Sequence, residues 1–184
     1  MNEQKIKILA ISGSLRANSS NAIMLKAIEQ LVPAQVDFFI YKGLAELPPF
    51  DDAEGIPITV SVWRKHLQDA DAVLVCSPEY AFGVPGSLKN AFDWTVGSGE
   101  MVNKPLALIT ASTGGEKAHA AWLQIFKALS AVIPAECALL ISYIRSKLNG
   151  AGEITDAATL AAIKKLIDNL ILFVDESFSS INNE

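Results

Sequence analysis

A three-layer α/β fold, with a five-stranded parallel sheet between two helix layers, is what this sequence predicts. Three observations carry that expectation. Four short apolar runs, KIKILAIS, ADAVLVCS, KPLALITA and the weaker AECALLIS, are rich in Ile, Leu, Val or Ala without polar alternation. Such runs suit parallel strands covered on both faces. Helical patterns separate them, at Asn21 to Leu31, Val60 to Asp69, Gly86 to Thr95, Lys117 to Ala131, and Asp156 to about Phe178. With a further strand near Val36 to Ile40, strand and helix alternate as five βα units, and right-handed crossovers lay helices on both faces of the sheet.

Bulk properties agree. A chain of 184 residues falls within the range of one domain, so 1–184 is expected to form a single unit. Its 51% hydrophobic and 19% charged content is ordinary for a packed α/β protein. The net charge is −5 and the fifteen Lys and Arg are scattered, so no basic face for nucleic acid is expected. MNEQKIKILA lacks the apolar run of a signal peptide and no stretch approaches the ~20 apolar residues of a membrane span, which predicts cytoplasmic residence. Cys76 and Cys137 stand apart in apolar surroundings, as buried small hydrophobes rather than a disulfide or metal pair. The Pro-rich piece around Leu47 to Pro57 is expected to be one long surface loop.

Ligands of such sheets bind outside the carboxyl ends of the strands, so the informative loops follow the strands. The first, ISGSLRANSSN, lies between strand one and helix one and offers hydroxyls, the Asn21 amide and the Arg16 guanidinium beside unpaired helix N–H groups. An anion such as a phosphate would be stabilised there. Gly13 is its one glycine, so the loop is neither GxGxxG nor a P-loop, and a terminal monophosphate fits better than a dinucleotide cradle. The competing reading is that Ser19, Ser20 and Asn21 merely cap the helix.

The second loop reads PEYAFGVPGSLKNAFDW. Pro78 and Pro85 restrict it, Gly83 and Gly86 permit sharp turns, and Pro85 suits the start of the next helix. A rigid loop of this kind can present main-chain N–H groups to a planar heterocycle, with Tyr80 and Phe82 for its aromatic face; the alternative is a tight turn whose aromatics pack into the core. For Glu79 the competing alternative is a solvated carboxylate, and Lys89 with Asp93 reads as a surface ion pair at helical spacing. The third loop, ASTGGEK, sets Ser112 and Thr113 before Gly114 and Gly115, where paired glycines allow close approach to the backbone. His66 and His119 are lone histidines on helices without ligand spacing, read as structural or surface residues.

GSLRANSSN and PEYAFGVPGSLKNAFDW resemble the phosphate loop (GSLR-x-x-S-x-N) and the ring-binding loop (PEY-x-x-x-x-PG-x-LKNA-x-DW) of the NADPH-dependent FMN reductases, in order and spacing from about Lys5 to the STGG loop. The resemblance implies a flavodoxin-like sandwich with strand order 2-1-3-4-5. It implies FMN as cofactor, NADPH or NADH as co-substrate, and a small-molecule electron acceptor such as a quinone. Ser14, Arg16, Ser19 and Asn21 would hold the FMN phosphate. Pro78, Glu79, Tyr80, Ala81 and Phe82 would border the isoalloxazine, with Ser112, Gly114 and Gly115 closing its other side. No catalytic side chain is implied, because the cofactor carries the hydride chemistry. Many relatives have Asn where Ala81 sits, and the STGG loop is shorter than the usual Gly-rich version. The family also implies a homodimer or homotetramer. Two alternatives compete with an oxidoreductase: a flavodoxin-type electron carrier that does not oxidise NAD(P)H itself, and a flavin-free interaction module using the apolar face of AAWLQIFKALSAVI.

Overall fold

The computed structural model describes residues 5–51 and 54–181. The opening Met1–Gln4, on which part of the signal-peptide reading rests, lies outside them, as do Asp52 and Ala53 of the Pro-rich loop. Five strands, β1 (Ile6–Ser12), β2 (Val36–Tyr41), β3 (Ala72–Ser77), β4 (Leu106–Ala111) and β5 (Ala138–Ile141), form one sheet in the order β2-β1-β3-β4-β5. Every neighbouring pair is parallel. The predicted sheet and strand order are therefore observed, and all five carboxyl ends face the same edge.

Helices α1 (Ser20–Glu29) and α5 (Ala157–Ile181) cover one face of the sheet, and α2 (Ile58–Asp69), α3 (Gly86–Asp93) and α4 (Glu116–Ala128) cover the other. Both central strands β3 and β4 are buried at all six positions, as an uninterrupted apolar run requires between two helix layers. Edge strands β2 and β5 are only partly buried. On the three-helix face an aromatic cluster locks the helices together. Phe92 stands edge-on to Trp63, Trp122 and Phe126 at centroid distances of 5.8, 5.8 and 5.0 Å, and the Trp63 indole donates to the Ala91 carbonyl at 2.8 Å. Trp122 and Phe126 belong to the apolar stripe of α4, which is thus core rather than an open docking face.

The Pro-rich loop is held more closely than a free surface loop. It begins after a 3-10 turn (Gly43–Glu46) and its first half is latched onto α3. Asn90 Nδ2 and Trp94 Nε1 both donate to the Pro48 carbonyl, at 2.8 and 2.9 Å, and the Phe50 N–H donates back to Asn90 Oδ1. Both cysteines are buried free thiols, as expected; burial pushes the Cys76 thiol up, and burial followed by Glu136 pushes Cys137 up to about 11. No helix among the described residues is long and apolar enough to cross a membrane.

Candidate functional site

The three loops that follow β1, β3 and β4 meet at the carboxyl edge of the sheet. Gly13 makes the first approach possible. Its N–H donates to the Cys76 carbonyl at 2.8 Å, and a Cβ there would stand 3.0 Å from Leu88, 3.1 Å from Pro78 and 3.1 Å from the Ser77 backbone. Any side chain would push the first loop off the second. One residue on, Ser14 is buried and its Oγ lies 3.1 Å from the Tyr80 hydroxyl, so the two loops are also joined by a hydrogen bond. The second and third loops are tied likewise, through the Glu79 N–H donating to Ser112 Oγ at 3.3 Å.

Glu79 is not a freely solvated carboxylate. Its Oε2 accepts the Ala118 N–H at 2.9 Å, inside the first turn of α4. That helix starts from Gly115, which sits at φ 115° and supplies no side-chain cap. A carboxylate borrowed from the neighbouring loop thus satisfies one of the orphan N–H groups and neutralises the positive helix end. Gly115 is required where it is: the left-handed backbone favours glycine, and a Cβ would lie 2.8 Å from Leu140 Cδ1. A Cβ on Gly114 would meet the carboxylates of Glu116 at 3.0 Å and Glu79 at 3.7 Å.

The start of α1 differs. Ser19 is its N-cap, and its Oγ accepts from the Ala22 N–H at 3.1 Å. The capping reading of Ser19 is observed, but it does not exhaust the loop, because Arg16 is exposed and no carboxylate among the described residues pairs with its guanidinium. Asn21 is 3% exposed and turned inward: Nδ2 donates to the Ala111 carbonyl at 3.2 Å and Oδ1 accepts from the Cys76 thiol at 3.2 Å. This side chain bolts the ends of β3 and β4 to α1. The Ser19 N–H donates to the Arg16 carbonyl at 3.1 Å, so Ser19 can offer a ligand its hydroxyl hydrogen and Asn21 its main-chain N–H, while the Arg16 guanidinium stands exposed on the loop. A cleft of about 570 Å³ opens on the β2 side of this loop, lined by Ser12, Ser14, Arg16, Lys26 and Lys42 among others. The second and third loops lie on the β3 and β4 side, so a ligand touching all three must cross the carboxyl end of β1.

The second loop carries backbone strain. Tyr80 and Gly83 bond each other in both directions, N–H to carbonyl, at 3.0 and 2.9 Å, and Ala81 and Phe82 between them both have positive φ, 49° and 60°. This pairing, with two left-handed residues at its centre, is the type I′ arrangement that Asn-Gly normally fills. Pro78 is buried at the loop's base, where Ser77 Oγ donates to its carbonyl and accepts the Trp122 indole N–H at 2.8 Å. Pro85 precedes α3 with no side-chain cap, leaving the first N–H groups of that helix pointed at the edge. Lys89 and Asp93 form the expected i,i+4 ion pair. His66 stacks on Phe39, and His119 Nδ1 lies 2.9 Å from Thr110 Oγ1, the structural roles read from the sequence.

The three loops thus form one hydrogen-bonded cluster at the carboxyl edge. The family described as NADPH-dependent FMN reductase matches residues 6–145. The chain belongs to that family. Among curated relatives of this FMN reductase, the quinone reductase of Escherichia coli K12 is 29% identical over 167 residues, 85% of this chain and 89% of its own. The NADPH:quinone oxidoreductase of Arabidopsis thaliana is 30% identical over 181 residues and covers 91% of both chains. Among solved structures, the flavoenzyme NAD(P)H:(acceptor) oxidoreductase FerB of Paracoccus denitrificans superposes with a TM-score of 0.82 at 25% identity, over 93% of this chain and 98% of its own. FMN with NAD(P)H is accordingly the cofactor chemistry of this reductase.

Proposed function

We propose that this chain passes two electrons from NADPH or NADH, through bound FMN, to quinones, flavins or other small acceptors, working as one FMN-binding domain over 1–184. The observation that carries this reading is the hydrogen-bonded convergence of Ser14 with Tyr80 and of Glu79 with Ser112, beside an exposed guanidinium at the start of α1. Of the helix ends at this edge, α4 already holds the Glu79 carboxylate, while α1 retains Arg16 and outward main-chain donors. A singly phosphorylated ligand would therefore place its phosphate on Ser14, Arg16, the Ser19 hydroxyl and the main chain at Asn21. Its planar ring would lie against Pro78, Glu79, Tyr80, Ala81 and Phe82, with Ser112, Gly114 and Gly115 on the far side.

When bound, FMN supplies the electron sink for hydride transfer. The chain's own groups bind, orient and shield. Arg16 balances phosphate charge, Tyr80 is held in place by Ser14, and the uncapped start of α3 behind Pro85 offers dipole stabilisation to negative charge on a ring bound before it. Glu79, engaged with α4, sets the spacing of the second and third loops and moves no proton.

We further infer cytoplasmic residence, which two buried free thiols suit, and self-association as a homodimer or homotetramer. The test is direct. The purified protein should absorb in the visible as a flavoprotein and oxidise NADPH or NADH in the presence of a quinone. A colourless protein that binds no added FMN would overturn the reading, and one that holds FMN without oxidising NAD(P)H would be an electron carrier instead.

A further inference from the structure

Six non-glycine residues among those described have positive φ, and two of them are aromatic: Phe82 at 60° and Tyr143 at 57°. Both stand at the carboxyl edge of the sheet, on the loops that follow β3 and β5. Both are unusually open, with 81% and 67% of their surface exposed. A bulky side chain in the left-handed region is strained, and a large exposed aromatic forgoes the gain of burial. The chain accepts both costs twice, on opposite sides of one turn. Three other exposed rings are partnered: Phe39 stacks on His66, Phe50 stands edge-on to Trp94, and the Tyr80 hydroxyl meets Ser14; Phe178, near the end of α5, is less open, at 38% exposed. Among the described residues Phe82 and Tyr143 have no ring partner.

The backbone fixes the two loops relative to each other through the third. Tyr143 N–H donates to the Thr113 carbonyl and Ile144 N–H to the Ser112 carbonyl, both at 3.1 Å, while Ser112 Oγ accepts from the Glu79 N–H. Since β3 and β5 are both neighbours of β4, their loops emerge roughly 10 Å apart. Strain that surrounding structure over-determines is a mark of a ligand clamp. An aromatic pair held apart and outward fits a flat, apolar ring, with which it can stack or meet edge-on.

The geometry points to Phe82 and Tyr143 as the two walls that receive the electron acceptor, making this reductase selective for planar, quinone-like acceptors over compact inorganic oxidants. This rests on the oxidoreductase reading above and adds Tyr143 to the site. Glycine is the informative substitution, because it removes the ring and accepts positive φ without strain. In Phe82→Gly and Tyr143→Gly, the ratio of the KM for menadione to the KM for ferricyanide should rise about tenfold, the worth of one lost aromatic contact. Phe82→Tyr and Tyr143→Phe should restore it. An unchanged ratio, an equal loss of FMN affinity measured by fluorescence, or a change of oligomeric state in the glycine variants would each overturn the assignment. If wild-type protein binds no FMN and oxidises no NAD(P)H, the underlying reading fails instead, and that measurement comes first.

Discussion

The two edges of the sheet use the same backbone conformation for opposite ends. At the amino edge Asn103, Ser130 and Glu136 have positive φ, and at the carboxyl edge Ala81, Phe82 and Tyr143 do. The amino-edge residues are polar, and the turns are closed by main-chain bonds, Asn103 N–H to the Ser130 carbonyl at 2.8 Å and Val132 N–H to the Lys104 carbonyl at 2.9 Å. There the left-handed residues reverse the chain, Ser130 just after α4 and Asn103 and Glu136 just before β4 and β5. At the carboxyl edge apolar residues occupy those angles, and the strain leaves rings in solvent and loops tied to one another by side chains. Conformation alone therefore says little about role; which side chains bear it, and what they then expose, separates a turn from a site.

The sharpest break between the edges is at Gly115. Alanine there would meet both a forbidden φ and Leu140 at 2.8 Å, so Gly115→Ala should cost roughly 2–3 kcal/mol, seen as a fall of several degrees in the thermal midpoint. At the amino edge, Asn103→Gly keeps the angle available and should shift stability by less than ~0.5 kcal/mol. Comparable losses at the two positions would erase the distinction. Next in size is Arg16→Ala, which should leave the melting temperature alone while weakening FMN binding by about tenfold to a hundredfold, the worth of a charge-assisted hydrogen bond. Titration of flavin fluorescence measures it, and an unchanged affinity would move the phosphate elsewhere.

Glu79→Ala tests whether the carboxyl-edge loops act as one assembly. Loss of the borrowed cap should cost about 1 kcal/mol, and because the same residue spaces the second and third loops, FMN affinity should fall with stability; Glu79→Gln, which keeps an acceptor but no charge, should recover part of both. Stability lost without any effect on flavin would reduce Glu79 to a helix cap. A smaller and opposite change belongs to Ala81→Asn. Asn tolerates the left-handed region better than Ala, so this variant should gain about 0.5 kcal/mol in chemical denaturation.

The sequence makes the framework legible because apolar runs of β3 and β4 are uninterrupted and the helical periods between strands are clear. Strand order followed from motif resemblance and is the order observed. Of the site, the motif residues of the first two loops could be named, but not what their side chains do. Asn21 turns inward because β3 and β4 end beneath it, and Glu79 finds α4 because parallel strands bring loops 39 residues apart side by side. Neither fact has a local signal. Tyr143 was missed for a related reason: it follows β5, the weakest strand pattern, and its positive φ is set by the 3-10 turn at Ile144–Lys147. The tight turn offered as an alternative for the second loop is present, but its aromatics are exposed rather than packed into the core, and Ala-Phe is not a residue pair that announces a type I′ turn.

The least of the expected effects concerns a group just behind the third loop. His119 sits in the second turn of α4 with Nδ1 against Thr110 Oγ1, and burial lowers its pKa below the ordinary histidine value. Between the lowered folded value and the unfolded ~6.5, the unfolded chain binds the extra proton and the folded chain does not, so stability is full above about pH 6.5 and declines as pH falls through that window. His119→Gln cannot take up that proton and should flatten the decline between pH 7 and pH 5, read as thermal midpoints at half-unit intervals. Because the His119 N–H donates to the Gly115 carbonyl at 2.8 Å, the wild-type protein should also lose flavin more readily across the same interval than the variant does. If both proteins lose stability and flavin in parallel, protonation at this position is not felt at the carboxyl edge, and the third loop is held there by its bonds to Glu79, Ser142, Tyr143 and Ile144.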